Sequence, residues 1–194
     1  EWNGKEFLAD DLKMRWLDYG RDNYAGVTFT DAPNNRRIYL GWMNNWEYAR
    51  DIPANPARGA MTIPRELSLS TVDGKILLMQ NPVDEILYSD IGDKKFIVTP
   101  TDIKSGIRFT SADGRSVDVG YDPSTKEIYL DRSGAWYDIE STSIHGAPFD
   151  ADEQSFEIRV VTDTGSIELF AAGGQVAITD LVTPSTAPWT ATPF

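Results

Sequence analysis

Apolar and polar residues alternate with a period of two along most of this chain, and no long stretch carries apolar side chains at helical spacing. Successive side chains of a strand point to opposite faces, so a chain patterned this way buries one face of each strand and folds as an all-β protein. The first strands are expected at Tyr24 to Phe29, Arg37 to Met43, Ala60 to Ile63, Glu66 to Ser70 and Lys75 to Met79. Turns fall at Ala32-Pro33-Asn34-Asn35 and Asp73-Gly74. The piece from Asn44 to Arg58 holds Pro53 and Pro56, which rule out a strand, and a loop of that length usually lines something.

From about Ile86 the pattern turns to hairpins. Val117, Val119 and Tyr121 alternate with polar residues, Asp122-Pro123-Ser124 turns, and Ile128 and Leu130 return. A second meander places Phe156, Ile158 and Val160 on one face, then Ile167 and Leu169, then Val176 and Ile178, with turns at Asp163-Thr164-Gly165 and Gly173-Gly174. Such hairpins stack most simply as a β-sandwich. The tail from Thr183, TPSTAPWTATPF, is rich in Pro and Thr and reads as an irregular strap over the surface.

Composition narrows the partners. The 194 residues, 41% hydrophobic, suffice for one sizeable domain or two small ones. A net charge of −12 makes nucleic acid and anionic membrane surfaces poor partners and suits a neutral ligand. The absence of cysteine rules out disulfides, thiolate chemistry and cysteine-bound zinc, and the lone His145 makes a metal site an unpromising idea. No cofactor is called for. No apolar run is long enough to span a bilayer, the first residues are not a signal peptide, and Glu1 is not a start methionine, so the chain reads as processed or cut from something longer.

Four consecutive segments carry a family resemblance: WLDYGRDNYAGVTFTD from Trp16, RRIYLGWMNNWEYARDIPANP from Arg36, RGAMTIPRELSL from Arg58, and LLMQNPVDEI ending at Ile86. Together they resemble the last propeller blade of glycoside hydrolase family 32, the invertases, inulinases and levanases. VGYDPSTKEIYLDRSG (119–134) and IRVVTDTGSIELFAAGGQVAITDLV (158–182) resemble two signature hairpins of the sandwich that follows that propeller. The resemblance implies residues 1–80 as the terminal blade of a five-bladed β-propeller and residues 81–194 as a β-sandwich. It also implies the C-terminal part of a secreted, retaining β-fructosidase acting on levan, inulin or sucrose, whose partner is the N-terminal propeller portion of the same enzyme. The chain is shorter than its relatives between Ile86 and Gly120, and their usual final strand is missing after Thr183. A sandwich short of strands exposes edges, which another chain would have to cover.

Glycoside hydrolysis uses two carboxylates, about 5 Å apart for retention or about 6.5–9.5 Å apart for inversion. In the family these are the Asp of W-M-N-D-P-N-G and the Glu of E-C-P, aided by the Asp of R-D-P. None of the three motifs occurs in this chain. Trp42-Met43-Asn44-Asn45 places an amide where the nucleophile would stand, and an amide cannot form the glycosyl ester. In Arg50-Asp51-Ile52-Pro53 an isoleucine separates Asp from Pro. No catalytic residue is therefore assigned, and the chain alone is expected to be inactive.

Three residues remain as sugar contacts. Trp46 resembles a tryptophan that lines the pocket for the terminal fructose, because an indole face stacks on the apolar face of a furanose. The alternative is a packing residue at a blade edge. Asp22 and Tyr24 lie at a turn into a strand where propellers aim side chains at the central channel; otherwise Asp22 ties the turn and Tyr24 fills the blade. Arg58, Arg65 and Glu66 either form a buried ion pair between blade and sandwich or project to solvent, and a structural role is the preferred reading for all three. His145 is read in a loop, Asp84-Glu85 and Asp150 to Glu153 as solvated turns, and Trp136-Tyr137 as a cap on the sandwich rather than an exposed aromatic platform for sugar. The competing function is a non-catalytic fructan-binding or assembly sandwich, which would have no need of DYGRD or GWMNNW.

Overall fold

A computed structural model describes residues 2–8, 14–53, 59–88, 91–152, 154–185 and 188–194 and arranges the chain in three antiparallel sheets. Among the described residues there is no α-helix, and no helix is long and apolar enough to cross a membrane. The first sheet contains β1 (Tyr24–Thr28), β2 (Arg37–Met43), β3 (Ala60–Met61), β4 (Arg65–Val72) and β5 (Lys75–Pro82). Its order is β1-β2-β4-β5, with β3 paired to the end of β2. Asp73-Gly74 closes the β4–β5 hairpin, as expected of that dipeptide.

The other two sheets face each other. One contains β6 (Gly92–Val98), β11 (Phe156–Asp163), β12 (Ser166–Ala171) and β13 (Val176–Leu181) in the order β13-β12-β11-β6. The second contains β7 (Ser105–Thr110), β8 (Ser116–Asp122), β9 (Glu127–Asp131), β10 (Ile144–Pro148) and β14 (Thr190–Pro193) in the order β10-β9-β8-β7-β14. Val117, Val119, Ile128 and Leu130 meet Ile158, Val160, Ile167, Leu169 and Ile178 between the sheets and are all buried. These are the alternating positions of the two sequence hairpins.

Two expectations are corrected. The Thr183 tail is not irregular to its end, because β14 pairs with β7 and supplies a final strand at the sheet edge. Thr190, Ala191 and Thr192 tolerate extended backbone, and Pro193 sits at an edge where a missing N–H breaks no interior ladder. His145 lies within β10, opposite Leu130, rather than in a loop.

The first sheet packs on the outer face of the β13-β12-β11-β6 sheet. Ile38, Val83 and Ile86 meet Val161, Phe170 and Ala177 there. With both faces covered, β13 is buried at every position, and its two polar side chains are each partnered, Thr179 by Arg65 and Asp180 by His145. The free edge of β13 is closed by the segment before β1: Tyr19 N–H donates to Ala177 O and Asp22 N–H to Thr179 O. A Cβ on Gly20 would lie 2.1 Å from Thr179 O, so this approach admits only glycine.

Arg65 pins the seam. Its guanidinium, fully buried, donates to Asp18 at 2.8 Å, Glu168 at 2.8 Å and Gln80 at 3.1 Å, and also to the Thr179 hydroxyl. Glu168 in turn accepts from the Ile63 N–H at 2.8 Å. The expected ion pair between blade and sandwich is thus made by Arg65, while Glu66 pairs with Arg36 at 3.8 Å inside the blade. Arg58 lies outside the described residues. Burial raises the Asp18 carboxyl, but the Arg65 charge and the hydrogen bonds from Thr179, Arg65 and Asn23 more than offset this and hold it below its ordinary value. At Glu168 burial prevails and the carboxyl is held above its ordinary value despite Arg65.

Removing one partner of a buried ion pair leaves the other charge uncompensated, so Arg65→Ala is expected to lower unfolding free energy by about 3–5 kcal/mol in urea denaturation. Lys126→Ala, which breaks the exposed pair with Asp150, should leave the midpoint almost in place. Acid titration checks the sign at Asp18. Its folded pKa lies below the ordinary value, so the unfolded chain binds more protons there, and stability present above the ordinary value is lost as pH falls through the folded one. Glu168 acts in the opposite sense, its contribution falling as pH rises through its raised value. Asp18→Asn should therefore be less stable at pH 7 yet lose less on acidification; an unchanged acid slope would contradict the linkage.

Candidate functional site

β1 carries one more residue than β2 opposite it: Tyr24 pairs with Trp42, but Val27 pairs with Leu40. The extra residue is a bulge, with Ala25 in the left-handed region at φ 50° and no room for a side chain at Gly26, whose Cβ would strike the Tyr39 hydroxyl. The bulge sets Tyr24 against Trp42, their ring centroids 6.2 Å apart and edge to face. Trp42 meets Trp46 in the same manner at 5.1 Å. Tyr24, Trp42 and Trp46 therefore form a row of aromatic rings at one end of the first sheet, with exposed Met61 paired to Trp42 across the strands. Tyr24 is 50% exposed and Trp46 68%.

Trp46 stands on the loop after β2, and that loop is tied at its base. Asn45 Nδ2 donates to Asp22 Oδ1 at 3.0 Å and to Arg21 O at 3.2 Å, while its own Oδ1 accepts from the Glu47 N–H at 2.9 Å. Ala49 N–H returns to Asn45 O, and Ile52 N–H to Tyr48 O. Met43, Tyr48 and Ile52 pack with Leu181 of β13 and with Trp136, Tyr137 and Ile139. Buried side chains to either side thus leave the Trp46 indole facing outward.

Asp22 has a different job from the sugar contact expected of it. Its carboxylate is 0% exposed and accepts from Arg132 Nη1 at 2.9 Å, Leu181 N–H at 2.8 Å, the Tyr48 hydroxyl at 2.7 Å and Asn45. Four donors leave no free lone pair for a sugar hydroxyl. Burial first, then the neighbouring Asp180 charge, pushes its carboxyl above the ordinary value, against the pull of Arg132. A raised carboxyl is often a sign of a functional acid. At Asp22 it marks a closed ion-pair network instead.

The remaining candidates are structural. Trp136 stacks under the Arg132 guanidinium at 3.6 Å and donates its Nε1–H to Ile139 O, so it caps the sandwich. His145 bonds Asp180 through Nδ1 at 2.6 Å, Glu85 pairs with Arg36, and Asp150 with Lys126. Glu153 lies outside the described residues. Among the described residues no group of three His, Cys, Asp or Glu could hold a metal ion. Trp42 escaped the sequence reading although it lies in the same GWMNNW segment as Trp46, because strand alternation assigns it a face but not a neighbour. Its partner Tyr24 becomes visible only through the bulge.

This geometry can stack a neutral sugar ring on an aromatic surface. Among the described residues, the buried carboxylates Asp18, Asp22, Glu168 and Asp180 are each engaged by donors.

Comparison with known proteins bears on both halves. The family model for the glycosyl hydrolases family 32 N-terminal domain matches residues 1–82, and that for the family 32 C terminal matches residues 99–194. A levanase of Bacillus subtilis (strain 168) is 32% identical over 89% of this chain and 30% of its own length. An extracellular exo-inulinase of Aspergillus awamori is 29% identical over 95% of this chain and 42% of its own length. The crystal structure of exo-inulinase from Aspergillus awamori superposes on the whole chain with a TM-score of 0.75 at 26% identity, the match covering 45% of that structure. The chain thus spans less than half the length of these relatives.

Folding energy separates the two kinds of residue. Asp22→Ala removes the carboxylate bonded to buried Arg132, leaving it only the Asp180 charge at 3.8 Å, and is expected to cost about 3–5 kcal/mol in chemical denaturation. Trp46→Ala removes a largely exposed side chain and should stay within about 0.5 kcal/mol. Equal losses would show that Trp46 is a packing residue.

Proposed function

Because the chain belongs to glycosyl hydrolase family 32, we propose that it is part of a β-fructosidase that hydrolyses fructosyl linkages in levan, inulin or sucrose. In this reading the chain supplies an aromatic wall of the fructose pocket and a bracing sandwich. Trp46 is the principal contact, with Tyr24 behind it and Trp42 joining the two. The nucleophile, the transition-state stabiliser and the acid/base belong to propeller blades outside this sequence, and those blades are the chain's partner. Secretion fits the name of the extracellular Aspergillus relative.

One observation carries the proposal: an outward aromatic row stands on a blade whose nearby carboxylate, Asp22, is already saturated with donors. Such a surface binds a sugar's apolar face and leaves proton transfer to others. Exposed Val27, Phe29, Leu69 and Ile76 on the same sheet suit the packing of neighbouring blades. The tight seam through Arg65 speaks against an independent fructan-binding or assembly sandwich, because it binds the sandwich to the blade rather than leaving it free.

Covering about 100 Å² of apolar ring surface at about 25 cal/mol per Å² contributes about 2.5 kcal/mol. Trp46→Ala in the whole enzyme should therefore lower kcat/KM on fructans by close to two orders of magnitude, roughly 70-fold. The 194-residue chain assayed alone should release no fructose from levan, inulin or sucrose. Fructose release by the isolated chain would place catalytic groups within it and overturn the division of labour.

A further inference from the structure

The loop that bears Trp46 is held by a residue from the other side of the molecule. Arg132 follows β9 in the sandwich and is fully buried. Its Nη1 donates to Asp22 Oδ2 at 2.9 Å and Leu181 O at 2.8 Å; its Nη2 donates to the Tyr48 hydroxyl at 3.0 Å and Thr142 O at 3.2 Å. The Tyr48 hydroxyl in turn donates a hydrogen bond to Asp22. Asp22 also takes the Asn45 amide. The residue before Trp46 and the residue two after it are thus both fastened to one carboxylate, and that carboxylate is oriented by Arg132.

We propose that Arg132 is a positioning residue for the sugar-facing wall, setting the direction of the Trp46 indole through Asp22 and Tyr48. The inference rests on the reading that Trp46 faces the fructosyl ring. Two physical points support it. Met43, Ile52 and Leu181 already join loop to sandwich by apolar contact, and a buried ion pair adds little stability that further apolar packing would not. What a guanidinium adds is direction: its planar fork, stacked on Trp136 and bonded at four points, allows one placement of Asp22 and Tyr48. A flexible apolar contact would leave the loop free to rotate. The Trp46 indole itself meets Trp42 only edge to face and is largely open to solvent, so its aim must come from its backbone.

The test compares fructan hydrolysis by the whole enzyme carrying Tyr48→Phe, Arg132→Lys, Trp46→Ala, or Tyr48→Phe with Trp46→Ala. Arg159→Gln, which breaks the ion pair with Asp93 inside the sandwich, serves as a purely structural control. Tyr48→Phe removes one hydroxyl from a buried network and keeps the ring, so it is the variant best able to fold. Tyr48→Phe and Arg132→Lys should each raise KM roughly tenfold with a smaller change in kcat, as expected when a binding group is displaced. Arg159→Gln should lower the thermal midpoint and leave KM in place. In the Trp46→Ala background, Tyr48→Phe should raise KM no further. Fluorotryptophan labelling of the chain gives a readout independent of substrate: the Trp46 ¹⁹F resonance should shift in Tyr48→Phe while that of Trp189 stays.

If Trp46→Ala raises KM but folded Tyr48→Phe and Arg132→Lys keep the wild-type KM and resonance, the wall stands and the role of Arg132 falls. Additive losses in the double variant would equally refute it, since the effect would not pass through Trp46. A wild-type KM in Trp46→Ala would remove the wall itself, and this inference with it.

Discussion

Two buried guanidinium groups cross the seam between blade and sandwich in opposite directions. Arg65 reaches from β4 of the blade to Glu168 in the sandwich; Arg132 reaches from the sandwich to Asp22 beside the blade. Both also hold the short segment that runs along β13, since Asp18 answers Arg65 and Asp22 answers Arg132. Burying these five charges is energetically demanding, and the attraction roughly offsets the desolvation only because nearly every lone pair finds a donor. Apolar contacts alone would hold the two bodies together. The crossed pairs also fix how one is turned against the other.

The site inherits that precision. An exposed aromatic residue on a long loop ordinarily samples many directions, which weakens any surface built from it. Here the loop is clamped on both sides of Trp46, so a residue with little contact of its own stands on a rigid base. The division is economical in chemical terms: carboxylates inside the seam do structural work, and the outward face is left to apolar aromatic surface.

Much of this was legible in the sequence because strand patterning is local. Val117, Val119, Ile128, Leu130, Ile158, Val160, Ile167 and Leu169 announced themselves by alternation, and all lie in the core. A structural role for Arg65 was legible, but not its partners Asp18 and Glu168, which stand 47 and 103 residues away. For Asp22 a structural tie and a sugar contact were both open, because its partner Arg132 stands 110 residues away, a distance over which no local pattern carries information. β14 was missed because proline and threonine richness reads as irregular, although threonine suits a strand and an edge tolerates proline. The aromatic row was half seen: Trp46 and Tyr24 were singled out, but Trp42 between them depends on a bulge.

The closing of β13 by the segment around Gly20 also bears on the order of events during synthesis. Asp18 and Asp22 bond to Thr179 and Leu181, separated from them by 161 and 159 residues. Neither carboxylate has its full set of partners until β13 has emerged, and Arg65 likewise waits for Glu168. Contacts of such long sequence separation form slowly, because a large loop must be closed before any of them returns free energy. The blade hairpins must therefore persist through translation with their charged seam residues solvated, and the aromatic wall acquires its final aim only when the last strands of the sandwich arrive.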